Sequence, residues 1–179
     1  MPTVLVILAE GFEEIEALAP VDLLRRAGVE VRTASLTENR MVKGRSGIVV
    51  QADVALAEMK PELADMIFLP GGPGVKNLRA DPRVAALARK YFDDGRWVAA
   101  ICAAPTVLHD AGLLKGRRYT AHFSVADELK DILSEERVVD DGRLTTSRGA
   151  GTAVEFGLHL VALLISDSKA AEISKAICL

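Results

Sequence analysis

One cysteine, Cys102, stands at the end of an apolar run in the stretch WVAAICAAPTVL, three residues before a proline. Trp97–Ile101 has the composition of a buried strand, and APTVLHDAGLL after it has that of a helix with Pro105 in its first turn. A cysteine between strand and helix has the geometry of a nucleophile elbow, although the glycines of G-x-S-x-G are missing. There it would face the positive end of a helix dipole and free backbone amides, which favour a thiolate. The competing reading is packing, because unpaired cysteine behaves as a small hydrophobe and is often buried. The residues alone leave both readings open.

Glu16 is the second unusual residue. At about 100° per residue it shares a helical face with Ala19, Pro20, Leu23 and Ala27, while Glu14 projects to nearly the opposite side. A carboxylate on a core-facing stripe is expensive unless paired or protonated. Burial would raise its pKa and keep it as a neutral acid, able to donate a hydrogen bond or move a proton. The plainer reading is a first-turn glutamate, partly wet and held by the helix dipole.

Gly71 and Gly72 in LPGGPG follow a strand and offer unobstructed backbone N–H groups, as an oxyanion hole requires, although most such turns are only turns. His122 in YTAHFS could serve as a base or a substrate-orienting group. His109 and His159 fall inside helical segments and read as structural, and Cys178, in an amphipathic helix near the end, as packing.

The elements that must position these residues alternate. Val4 to Ala9 is a doubly buried strand, Glu13 to Ala27 a helix closed by Gly28, and Val29 to Leu36 a second strand. TENRMVKGRSG is a loop or small hairpin before IVVQADVAL, and DMIFLPGG is another buried strand. DPRVAALARKYFDDG has Asp81 as N-cap, Pro82 at the first helical position and Gly95 at the end. RYTAH is a strand candidate, RVVDDGRLTTS holds a hairpin turn at 140–142, and TAVEFGLHLVALLI is a long helix. This order of βαβ units predicts a single α/β domain over residues 1–179, with a mainly parallel sheet and helices on both faces. Such sheets place chemistry at the carboxyl ends of strands, which is where Glu10 to Glu16, Gly71 with Gly72, and Cys102 fall.

The chain has 179 residues and a formal net charge of −3, with no Lys/Arg run longer than two. No footprint for nucleic acid results. Two cysteines make no disulfide framework, and no His/Cys spacing points to zinc. The first apolar run is too short for a membrane span or a signal peptide. The expectation is a protein of a soluble, reducing compartment, most simply the cytoplasm.

With these residues placed, the chain resembles the ThiJ/PfpI (DJ-one) superfamily, and within it the YajL-like, parkinsonism-associated branch. AEGFEEIEALAPVDLLRRAG resembles its N-terminal motif, LPGG its oxyanion turn, AAICAAPTVL its nucleophile motif and TSRGAGTAVEFGL its late helix signature. The resemblance implies a flavodoxin-like doubly wound sandwich, usually a homodimer. It implies that Cys102 is the reactive cysteine, that Glu16 hydrogen-bonds it as a protonated acid, and that the amides of Gly72 and Ala103 hold an oxyanion. His122 matches a histidine near the pocket, and Arg26 an anion-binding arginine. A second such arginine falls on Ser46 here, with Arg45 one position off, and Ala-Ala-Pro follows the nucleophile where relatives often carry Ala-Gly-Pro.

The implied function is cysteine-dependent action on reactive dicarbonyls or glycated protein, as a glutathione-independent glyoxalase or deglycase, with no metal or organic cofactor. The alternatives are a redox-sensing stress protein or chaperone whose Cys102 oxidises to sulfinate, and a cysteine peptidase or amidase. The same thiol serves all of them.

Overall fold

The computed structural model describes residues 1–59 and 62–179. Its first strand, β1 (Thr3–Leu8), is an unbroken aliphatic run and lies between two parallel neighbours, β2 (Glu30–Ser35) and β6 (Met66–Leu69). The main sheet has the order β5-β2-β1-β6-β7-β9-β8, with β5 Val54–Ala55, β7 Trp97–Ile101, β8 Val138–Asp141 and β9 Leu144–Ser147. Every pairing is parallel except β8 with β9, whose turn carries Gly142 at φ +64°. A separate hairpin joins β3 (Met41–Lys43) to β4 (Val49–Gln51), so TENRMVKGRSG takes the hairpin alternative.

Alternation along the buried strands divides the core into two layers. Leu5, Ile7, Ile67, Leu69 and Val98 meet α3 (Pro82–Asp93) and α4 (Pro105–Asp110) on one face. Val4, Val6, Met66, Phe68 and Ala99 meet α1 (Glu14–Arg26), α5 (Ala153–Leu164) and α6 (Asp167–Ala176) on the other. This is the doubly wound, flavodoxin-like sandwich. Strand order reverses between β1 and β6, which opens the crevice of such folds at their carboxyl ends.

Four local outcomes differ from expectation. Residues 75–80 after the glycine turn form a short helix, α2 (Val75–Ala80). The helix after Cys102 is only six residues long and ends before Gly112, at φ +71°. RYTAH is buried at Tyr119–Ala121 but is no strand: Thr120 N–H donates to Thr146 Oγ1 (2.9 Å) instead of joining a ladder. Cys178 lies past the end of α6, exposed and at φ +62°, so it is not packing material.

The helix α1 carries Glu16, and its position depends on α5. A Cβ at Gly157 of α5 would lie 2.9 Å from Pro20 Cα and 2.7 Å from a Leu23 methyl. Only a residue without a side chain permits this approach, and the backbone at Pro20 cannot give way cheaply. Gly157→Val should therefore lower stability by about 1–3 kcal/mol, read as a shifted midpoint in urea unfolding. An unchanged midpoint would show that the two helices are free to move apart.

Candidate active site

Cys102 follows β7 in a left-handed backbone conformation, φ +65°, that few residues without glycine's freedom adopt. Its surroundings fix this geometry from both sides. The Cys102 N–H donates to Ser147 O (2.9 Å), extending the β7–β9 ladder, and the Cys102 carbonyl accepts from His122 N (2.9 Å). Ala104 N–H closes the turn onto Ile101 O (3.0 Å). Strain of about 1–3 kcal/mol persists only where neighbouring structure over-determines it, and it turns the thiol out of the strand line. The strand–turn–helix elbow expected from the sequence is present.

Glu16 sits in the first turn of α1, which Glu13 caps by accepting from Glu16 N–H (2.7 Å). Its side chain is 2% exposed and hydrogen-bonds the Cys102 thiol. Oε2 lies against Gly71 and has no nitrogen or oxygen partner among the described residues. Burial is the main force that pushes this carboxyl up to about 7, and the neighbouring Glu13 charge adds to it. The hydrogen bond to Cys102 acts in the opposite sense.

The Cys102 thiol is pushed up to about 12, first by burial and then by the charge and hydrogen bond of an ionised Glu16. The amides of Gly72 and Ala103 pull it down. Two negative charges share this space only at high cost, so the two groups titrate as a coupled pair whose second proton leaves only well above neutral pH. When the proton sits on Glu16, repulsion of the thiolate disappears and the two amides face it. This corrects the expectation of helix-dipole activation: α4 is short, the thiol is buried, and its reactive form depends on Glu16.

Gly71 and Gly72 are needed for different reasons. A Cβ on Gly71 would fall 2.4 Å from Glu16 Oε2 and 2.5 Å from Cys102 Cβ. Gly72, at φ +91°, has a conformation that presents its amide to the sulfur. Both therefore belong to the site, as does the Ala103 amide.

His122 also belongs to it, through Gly149: a Cβ there would lie 3.3 Å from His122 Cδ2, 3.7 Å from Glu16 Oε1 and 4.0 Å from Cys102 Sγ. His122 Nδ1 accepts from Ser124 N–H (3.2 Å) and pairs with Ser124 Oγ (2.8 Å). Burial lowers its pKa, so the ring is neutral at pH 7. With Nδ1 accepting, the proton lies on Nε2. The Nε2 N–H of His122 is thus left as a free donor beside the thiol.

Arg26 does not join them. It lies in the last turn of α1, ten residues and about 15 Å along the axis from Glu16, and pairs with Asp22 (2.7 Å) on the surface. Within this chain it binds no anion at Cys102. Ser46 and Arg45 belong to the β3–β4 turn, where the Ser46 amide donates to Glu14 Oε1 (2.8 Å). That turn buries Glu14, expected to project away from the core. Burial would raise its pKa, but amides of Glu14, Ser46 and Ile48 outweigh it, and the carboxyl titrates below its usual range. Helical periodicity missed this because the covering residues come from a hairpin 30 positions on. Gly149 and Ala150, whose amide faces Glu16, were also missed as site residues, although both lie inside TSRGAGTAVEFGL. His159 is structural, pairing with Asp140 (2.7 Å), and His109 is exposed near Asp110 and Glu128, whose carboxylates bind Arg79.

A doubly wound α/β sandwich with a cysteine elbow, a buried acid and two free amides at its crevice defines a class of cysteine-centred site. The chain belongs to the DJ-1/PfpI family, whose model matches residues 2–163. The Drosophila melanogaster DJ-1beta crystal structure superposes with a TM-score of 0.96 at 37% identity, covering 99% of this chain and 98% of that one. The Thermococcus kodakarensis protein named deglycase TK1284 is 35% identical over 164 residues, 90% of this chain and 98% of its own. The Caenorhabditis elegans protein named glutathione-independent glyoxalase DJR-1.2 is 36% identical over 174 residues, 95% of this chain and 92% of its own.

The raised Glu16 carboxyl has a stability consequence. Its folded pKa, about 7, exceeds the ordinary 4.5, so the native state binds the proton more tightly. The stabilisation is complete below pH 4.5 and is lost as pH rises through 7. Relative to Glu16→Gln, the wild type should lose stability across that window in denaturant titrations at stepped pH. Parallel curves would mean that Glu16 ionises freely in the fold.

Proposed function

We propose that this chain is a cysteine-dependent enzyme acting on reactive dicarbonyls or their protein adducts, as a glutathione-independent glyoxalase or deglycase that limits carbonyl stress. The observation that carries this reading is the buried Cys102 thiol set against the Glu16 carboxyl, with the amides of Gly72 and Ala103 beside the sulfur. The names of the two relatives above support the substrate class.

In this scheme the Cys102 thiolate adds to the aldehyde carbon of methylglyoxal, and the Gly72 and Ala103 amides stabilise the developing oxyanion. Glu16 gives its proton to that oxygen, forming a hemithioacetal. As a carboxylate it then takes the hydrogen of the same carbon and returns it through an enediol to the neighbouring carbon. The result is a 2-hydroxy thioester on Cys102, which water cleaves to lactate and the free thiol. His122 Nε2–H orients the substrate carbonyl. The atoms balance as methylglyoxal plus water giving lactic acid, and the steps call for no metal or organic cofactor.

A cavity of about 690 Å³ adjoining His122 and Gly149 favours turnover of a substrate over redox sensing alone. A peptidase or amidase would need a base beside the thiol, and His122 is arranged as a donor. The test is lactate formation from methylglyoxal without glutathione. Cys102→Ser should abolish it, and Glu16→Gln should lower kcat by roughly 10²–10⁴-fold. Lactate that forms equally in Cys102→Ser would sink the reading.

We also propose that the chain pairs with a second copy of itself. Ile15 on α1 and Ile48 and Val49 on the hairpin are half exposed, on elements joined through Glu14 and Ser46. Exposed aliphatic side chains grouped in this way mark association surfaces. Ile48→Glu should shift the sedimentation of a dimer to that of a monomer; a wild-type chain already monomeric at high concentration would rule the pairing out.

A further inference from the structure

We propose that the cavity beside Cys102 receives an acidic group of the substrate, with Arg148 as its counter-charge. The inference deepens the carbonyl chemistry above, since it names the substrate class: an aldehyde or dicarbonyl bearing a carboxylate or phosphate a few bonds from its reactive carbon.

The cavity lies between residues 121–137 and 148–152 and measures about 690 Å³. His122, Gly149 and Ala150 line it and also belong to the cysteine site. Because Gly149 carries no side chain, nothing at that position stands between the cavity and the sulfur, 4.0 Å from where its Cβ would be. A substrate can therefore place its carbonyl at Cys102 and its remainder in the cavity.

Three cations and one exposed acid, Glu135, line the walls, and the cations differ in how they are neutralised. Arg137 pairs with Glu155, and Lys130 lies on the open surface 3.8 Å from Asp127. Arg148 has no carboxylate within 4 Å among the described residues. It is half-buried, and its guanidinium gives one hydrogen bond, to the Ser134 carbonyl (2.9 Å). A guanidinium has five N–H donors in a planar fork suited to carboxylate or phosphate, so most of its capacity is free. The segment that carries it is held in place: Ser147 Oγ and Thr152 Oγ1 lie 2.6 Å apart, and the Gly149 amide donates to Thr152 Oγ1 (3.2 Å). Apolar Leu129 and Ile132, which also line the cavity, lower the local dielectric and strengthen the attraction for an anion.

Alkylation of Cys102 tests this without turnover. N-iodoacetylglycine and its uncharged amide differ only in the charge, and peptide mass spectrometry follows their addition to Cys102. In the wild type the acid should react preferentially, measured against a free thiol peptide. Arg148→Met should lower the acid-to-amide ratio roughly tenfold, the loss expected for one charge-assisted hydrogen bond, and Arg148→Lys should restore part of it. Inorganic phosphate and acetate, added separately, should slow alkylation by the amide in the wild type but not in Arg148→Met, and the stronger protector names the preferred group. A ratio unchanged by Arg148→Met, even with both rates reduced, overturns the proposal, as does protection that survives the substitution. Absent lactate formation would leave these ratios standing, so the two proposals fail separately.

Discussion

The buried contact between Glu16 and Cys102, each raising the cost of charge on the other, is the constraint around which the rest of the site is built. Neither group can be ionised comfortably beside the other in a space closed by Gly71 and the α1 turn. The protein makes this arrangement tolerable by geometry, with the amides of Gly71 and Ala150 turned to the acid and those of Gly72 and Ala103 to the thiol. Burial raises the acid, the acid governs the thiol, and the amides of Gly72 and Ala103 reward the thiolate only once the carboxyl is neutral. In the proposed chemistry, reactivity thus depends on a carboxylic acid that keeps its proton up to about pH 7.

Bringing these groups together requires three strand ends and two kinds of backbone exception. Glu16 follows β1, Gly71 and Gly72 follow β6, and Cys102 follows β7. The β1–β6 reversal opens the crevice, but adjacency at the level of Cα atoms is too coarse to produce a hydrogen bond. Gly71 removes the side chain that would hold Glu16 from Cys102, and the left-handed Cys102 turns the sulfur toward the acid. The carbonyl of Glu16 is itself unusual, because Pro20, four residues on, has no N–H to give it. Pro20 instead packs on Gly157, which ties the helix bearing the acid to the helix behind it.

Much of this was legible from residue order. Alternating buried strands and helices, with Cys102 and the glycine pair at strand ends, lead to the fold and to the active crevice. Glu16 showed itself as a carboxylate on an apolar stripe. Periodicity along one helix says nothing of what arrives from elsewhere, however, and so Glu14 looked like a surface residue until the β3–β4 turn covered it. Arg26 lies apart from the thiol within this chain for the opposite reason: a motif match carries no distance, and a helix of 13 residues places its two ends far apart. RYTAH has the composition of a strand, but at its centre the Thr120 amide finds the Thr146 side chain rather than a strand backbone.

The thiol teaches the same lesson about energy. A cysteine before a helix invites the argument that the dipole lowers its pKa, and that argument holds for an exposed thiol at a long helix. Here α4 has six residues and Cys102 is 9% exposed, so desolvation wins and the thiol is pushed up. The group that sets the cost of the thiolate is a neighbouring residue 86 positions away in sequence, which raises the thiol when charged and whose own pKa is raised by burial. Removing the carboxyl does not simply free the cysteine. It also removes the proton that the thiolate's negative charge would otherwise draw toward it, and the sulfur is left with two amides in a dry pocket. Acid and nucleophile are one unit, and neither can be understood from its own stretch of chain.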